Sequence, residues 1–364
     1  MNDHSEPSNS PLPKSPAAPR RVVSLLPSAT EIVGLLGAQD RLVGRSHECD
    51  WPAGLEHLPV LTGQKTNYEP SSPNASREVD RQVREAVAGD DAASLYHLDT
   101  ERLRELRPDL ILTQDLCEVC SIDLNTVRGA ARQIAEKTGS EPEVVSLNPD
   151  TFEAVFDDIL TVGAALGLTD GAERVLVELR ERYYRACDFV TTFGPIQTVL
   201  FLEWTDPVFC AGHWTPQLIE RAGGSHPLNP TEPVPGSGQG IGPQQAYRKA
   251  GKSVQVPIEA IEAVERATES GAGGWERVII CPCGLTLEQA RAEAHKLLSQ
   301  PWFSALQAVQ RDNVAIVDGN QMFNRPGPRL VDAFEWLVGW LNDRPESIPA
   351  GFPWQCGLRA ASSE

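Results

Sequence analysis

Six short apolar runs in this chain each end in residues able to hold a ligand. Val22–Leu26 leads into Pro27-Ser28-Ala29-Thr30-Glu31, and Leu42–Gly44 into Ser46-His47-Glu48-Cys49-Asp50-Trp51-Pro52. Leu110–Thr113 leads into Asp115-Leu116-Cys117-Glu118-Val119-Cys120, and Val199–Leu202 into Glu203-Trp204 and then Cys210-Ala211-Gly212-His213-Trp214. Val278–Ile280 leads into Cys281-Pro282-Cys283-Gly284, and Val314–Val317 into Asp318 and then Phe323-Asn324-Arg325-Pro326-Gly327-Pro328-Arg329. Ligands of open α/β sheets bind outside the carboxyl ends of the parallel strands. If the runs are strands, His, Cys, Trp and Arg gather on that edge, around a cleft for a small molecule.

The donors divide between two halves of the chain. His47, Cys49, Cys117 and Cys120 come from the first, and Cys210, His213, Cys281 and Cys283 from the second. Such soft ligands suit zinc, copper(I) or another thiophilic ion, so zinc or another transition metal shared across the cleft is one expectation. The plainer reading is that cysteine packs as a small hydrophobe. No pair of CxxC motifs has the spacing of a structural zinc ribbon. Cys117 and Cys120 do form a CxxC, but Asp115, Glu118 and Asp123 crowd it with negative charge, which disfavours a reactive thiolate. Hydrolase and nucleotide chemistry find no support: there is no Gly-x-Ser-x-Gly, no P-loop and no Gly-x-Gly-x-x-Gly. Trp51, Trp204, Trp214 and Phe323 all fall in the loops after the runs. Aromatic planes beside a few polar groups suit a large, flat organic ligand.

The elements that must position these groups read as two α/β halves. Continuous apolar runs are what strands buried on both faces require. Ser28 and Glu31 have the spacing of a capping box ahead of a helix over 32–36. Residues 152–188 carry the longest helical periodicity, as one helix or two abutting ones. The expected division is a disordered tail over 1–20, an N-terminal lobe over 21–150 and a connecting helix over 151–190. A C-terminal lobe over 191–342 and an irregular tail over 343–364 follow. Segments 63–93 and 226–253 read as loose insertions, the first with a charged helix near 77–88.

Net charge −18 over 364 residues argues against nucleic acid or anionic membrane as partner. No run approaches the length of a membrane-spanning helix. The Pro- and Ser-rich start has no apolar centre, so the sequence alone leads to a cytoplasmic expectation.

The order of the motifs resembles one family, the periplasmic-type binding proteins of cobalamin and ferric-siderophore ABC importers. Val23-Ser24-Leu25-Leu26-Pro27-Ser28-Ala29-Thr30-Glu31, Ser46 through Pro52 and Leu106-Arg107-Pro108-Asp109-Leu110-Ile111-Leu112 carry the likeness. Pro207-Val208-Phe209-Cys210-Ala211-Gly212, Ala222-Gly223-Gly224 and Arg325 through Arg329 complete it, in order over about 21–341. It is most similar to the cobalamin-binding branch. The resemblance implies two Rossmann-like lobes with mainly parallel sheets, joined by a long backbone helix, with the ligand between them. It implies that Trp51 packs on a corrinoid, that Phe323 and Arg325 face the ligand, and that Glu101 and Glu259 dock on arginines of an ABC permease.

The expected function is non-catalytic binding of cobalamin, or of a related corrinoid, haem or siderophore-like chelate, by a monomer. The expected ligand contacts are Ser28, Trp51, Trp204, His213, Trp214, Phe323 and Arg325. His213 is placed to act as an axial or metal ligand, and the thiols of Cys49, Cys117, Cys120, Cys281 and Cys283 are expected to converge, partly exposed, across the cleft. The rival readings are a thiol- or metal-dependent enzyme, and a bare-metal-ion binder, on the same scaffold.

Overall fold

The computed structural model describes residues 18–65, 75–88, 95–115, 122–191, 194, 196–234, 248–267 and 273–358. The expected tail over 1–20 lies outside them but for its last three residues, as do parts of both insertions.

The first lobe alternates strand and helix. β1 (Val22–Ser24) is buried throughout, and α1 (Pro27–Leu35) follows with Pro27 in its first turn, where the missing N–H costs nothing. The capping box is not made: Leu26 is the N-cap and no side chain caps the helix. Ser28 is therefore already inside α1, so Glu31 cannot answer it across the helix start.

β2 (Leu42–Arg45), β3 (Thr62–Gln64), α2 (Ala75–Ala88), β4 (Tyr96–Leu98) and α3 (Thr100–Leu106) come next. β5 (Leu110–Thr113), α4 (Leu124–Thr138) and β6 (Glu143–Ser146) complete the lobe. Its sheet has the order β2-β1-β5-β6 with every neighbour parallel. β3 and β4 form a separate antiparallel pair. Asp99 and Asp123 cap α3 and α4 through their side chains.

The long helical signal resolves into α5 (Phe152–Ala165) and α6 (Thr169–Cys187), parted at Gly167 with φ of 67°. They pack as a hairpin, since Phe152 at the start of α5 meets Tyr183 near the end of α6 at 5.3 Å between ring centroids. Gly163 lets the pair close, because a Cβ there would overlap that of Ala172.

The second lobe begins with β7 (Gln197–Thr205), β8 (Val208–Cys210), α7 (Trp214–Arg221) and β9 (Gly224–Ser225). β10 (Glu232–Pro233), β11 (Arg248–Lys249), β12 (Val254–Gln255) and α8 (Ile258–Arg266) lead to β13 (Arg277–Ile280). α9 (Leu287–Leu298), α10 (Pro301–Ser304), α11 (Gln307–Gln310), β14 (Val314–Val317), α12 (Leu330–Leu341) and β15 (Trp354–Cys356) end it. β7, β13 and β14 are parallel at the centre, β8 and β15 flank them antiparallel, and β12 pairs antiparallel with β8 at the edge. β15 lies in the segment read as an irregular tail. One apolar core runs from α1 through α5, α6 and α12 to β7, β13 and β14, so both lobes rest on the helical hairpin. No helix of the described residues is long and apolar enough to cross a membrane.

Candidate functional site

The loops at the carboxyl ends of both sheets meet. Arg325, between β14 and α12, crosses to the loop after β2, its Nη1 2.6 Å from Asp50 Oδ1. Its Nη2 donates to Asp50 Oδ2 and to the Glu48 carbonyl, each at 3.2 Å. Asn320 Nδ2 adds a second cross-lobe bond to Asp50 at 2.8 Å. The Arg329 guanidinium sits over the ring of half-buried Trp51, 5.3 Å from its centroid, within cation–π range.

Glu31 of α1 lies beneath this contact, fully buried, 3.5 Å from Arg325 and 3.9 Å from Arg329. Neither carboxylate oxygen has a hydrogen-bond partner among the described residues. Gly327 makes the approach possible: a Cβ there would stand 2.9 Å from Glu31 Oε2 and 3.3 Å from Ser28. Burial outweighs the two guanidiniums and pushes the Glu31 carboxyl up from 4.5 to about 7. A folded-state pKa raised above the unfolded value stabilises most below the unfolded pKa, and that contribution is lost as pH rises through about 7. A shift of this size corresponds to about 3 kcal/mol. The expected result is that urea unfolding between pH 5 and 8 shows wild type losing stability with pH relative to Glu31→Gln. Parallel pH profiles for the two proteins refute it.

Beside the contact is a small recess, open to solvent, at the ends of β1, β2 and β5. His47, Glu48, Thr62, Tyr96, Thr113 and Gln114 give it its polar groups. His47 Nδ1 lies 2.7 Å from Thr62 Oγ1, while Nε2 is buried without a hydrogen-bond partner among the described residues. Burial lowers the His47 pKa, so the ring is neutral near pH 7. Tyr96 donates its hydroxyl to Glu48 Oε1 at 2.9 Å and meets His47 edge to face.

The structure sorts the expected ligand residues. Trp51 and Arg325 lie at the interlobe contact, and Ser28, buried in α1, backs onto Gly327 beneath it. Trp214 and Phe323 do not present their rings: both belong to the core, and Trp214 Nε1 donates to the Phe323 carbonyl at 2.5 Å. Phe323 is 1% exposed and packs against Phe201 and Trp336, with φ of 61° turning the ring back into the lobe. Trp204 is half-buried, and its Nε1 donates to the Ser76 carbonyl at 3.2 Å, which ties α2 to the second lobe. His213, half-buried, precedes α7 with φ of 54°, and its N–H donates to the Gly251 carbonyl at 2.8 Å.

The shared thiol site requires correction. Cys117 and Cys120 lie outside the described residues. Cys49 and Cys281 are buried, and desolvation raises both thiols, holding them protonated. Cys49 Sγ packs against Thr30 Oγ1 at 2.9 Å, and Cys281 Sγ faces the Met322 carbonyl at 3.7 Å. Cys283 alone of the described loop thiols is exposed. No three His, Cys, Asp or Glu side chains of the described residues are grouped to hold a metal ion. Glu101 and Glu259 are both exposed, in the first turns of α3 and α8.

Glu31, Glu48, Asp50, Tyr96 and Arg329 were not among the expected site residues. A signal existed for Glu31, a charge amid the apolar residues of α1. Tyr96 lay hidden, because β3 and β4 are too short to show a period.

A family model described as periplasmic binding protein matches residues 22–320. No curated protein matches by sequence. Among solved structures, a periplasmic heme binding protein from Pseudomonas aeruginosa is similar at 21% identity and TM-score 0.57, over 88% of this chain and 92% of that one. The periplasmic heme-binding protein RhuT from Roseiflexus sp. RS-1 is similar at 19% identity and TM-score 0.59, over 89% and 98%. The periplasmic vitamin B12 binding protein BtuF of Vibrio cholerae is similar at 17% identity and TM-score 0.58, over 90% and 99%. At these identities the likeness is one of fold. The matched family and these neighbours are periplasmic, which corrects the cytoplasmic expectation. That expectation rested on the residues at the start of the sequence, which lie outside the 22–320 that the family model matches.

Proposed function

This chain belongs to the periplasmic binding protein family, and from that premise we propose that it binds cobalamin or a related corrinoid between its lobes, without catalysis, for hand-over to an ABC permease. The observation that carries the reading is Trp51. It is half-buried at the carboxyl edge of the first sheet, with Arg329 of the second lobe over its ring. An aromatic plane shared between two lobes suits a flat macrocycle. The recess beside it is far too small for a macrocycle, so in this reading it meets one arm of such a ligand and the lobes part to admit the ring. The lobes are taken as 21–150 and 191–342, with 151–190 between them. Glu101 and Glu259, each exposed at a helix start, one per lobe, are the proposed docking points for the permease.

A thiol enzyme is not favoured, since Cys49, Cys210 and Cys281 are buried with raised pKa values.

Protein incubated with cobalamin is expected to elute from gel filtration with a corrinoid absorption spectrum, and to give a calorimetric binding signal. Trp51→Ala is expected to weaken that binding by about 1–3 kcal/mol, as for a buried aromatic anchor, with its unfolding midpoint little changed. Wild-type protein giving no signal with any corrinoid overturns the proposal.

A further inference from the structure

We propose that the recess at His47 and Glu48 selects an uncharged carboxamide arm of the bound chelate over a carboxylate arm, with Glu48 as the specificity-determining residue. The inference rests on the corrinoid reading above and adds to it which peripheral groups the site accepts.

Among the described residues, the polar lining carries one carboxylate, Glu48, and no lysine or arginine. Glu48 Oε1 accepts from Tyr96, and Oε2 is directed to no donor by any described bond. The nearby guanidiniums are already committed. Arg45 donates to the carbonyls of Leu55, Ser46 and Cys49. Arg325 is held by Asp50, Glu31 and the Glu48 carbonyl. Neither of these guanidiniums is therefore spare to neutralise an entering carboxylate, and Glu48 repels it in a partly desolvated space.

A primary carboxamide meets the same lining without that penalty. Its NH2 offers two donors, one for Glu48. With the His47 proton on Nδ1, donated to Thr62, the buried and unpartnered Nε2 accepts the other. Thr113 and Gln114 supply donors for the amide carbonyl. A carboxylate offers no donor, so it leaves Nε2 unpaired and adds a like charge. A site built for a donor rejects the analogue lacking it more strongly than a site built on apolar contact.

Cobalamin and its monocarboxylic acids, each made by hydrolysing one peripheral amide, provide the test by calorimetry on wild type and Glu48→Gln. At pH 7.5, at least one acid is expected to bind wild type tenfold or more weakly than cobalamin. In Glu48→Gln that same acid is expected to come within about threefold of cobalamin. Every acid binding wild type within twofold of cobalamin overturns the inference, and so does a gap that persists unchanged in Glu48→Gln. Wild type that binds no corrinoid overturns the corrinoid reading itself, and this inference with it.

Discussion

Arg325→Ala is expected to destabilise the protein by about 3–5 kcal/mol, the range for removing one partner of a buried ion pair. The side chain is 7% exposed and serves two carboxylates at once, Asp50 at 2.6 Å and Glu31 at 3.5 Å. The two losses are unequal. Asp50 is 41% exposed, so water replaces much of what Arg325 gave it. Glu31 is fully buried, and Arg329 at 3.9 Å is the guanidinium left beside it. Glu31 can escape by holding its proton, which costs more as pH rises, so the loss is expected to be larger at pH 8 than at pH 5.5. Arg325→Ala with Glu31→Gln is expected to be more stable than the sum of the single changes, because no uncompensated buried carboxylate then remains. Urea unfolding of the wild type, both single variants and the double variant reads all of this. A loss under about 1 kcal/mol for Arg325→Ala would place the pair among ordinary surface ion pairs and remove it as a link between the lobes.

The same residue shows how far the sequence carried the site. Loops after apolar runs are where a parallel sheet puts its ligand groups, and Asp50, Trp51 and Arg325 do come together there. The runs themselves were legible because strands buried on both faces admit no polar alternation. Val22–Ser24, Leu110–Thr113 and Val314–Val317 are buried at every position. Adjacency to a strand end, however, does not say whether a side chain turns outward or back into the core. Trp214 and Phe323 turn inward, while Trp51 in the first lobe does not. Glu31 was misread for a related reason. Its spacing from Ser28 matched a helix cap, but Pro27 had already started the helix, and the carboxylate is used for tertiary contact. The thiols follow the commonest fate of cysteine, since Cys49 and Cys281 fill the interior behind the loops that name them.

Phe323→Ala separates the two kinds of aromatic most sharply. Its ring is enclosed by Phe201 at 5.1 Å and Trp336 at 5.9 Å between centroids, and Trp336 in turn stacks on Trp340 and Phe352. Truncation leaves a space walled by rigid rings that cannot collapse into it, so a loss of about 3–5 kcal/mol is expected. The backbone gives no relief. Alanine must adopt the same φ of 61°, and the bond from Trp214 Nε1 ends on the Phe323 carbonyl, which the substitution keeps. The expected pattern is thus lower stability in urea with corrinoid affinity per folded molecule within about threefold of wild type, the reverse of the pattern for Trp51→Ala. If Phe323→Ala instead keeps its unfolding midpoint and loses affinity, the ring faces the ligand when the lobes part, and the core placement does not describe the binding-competent state.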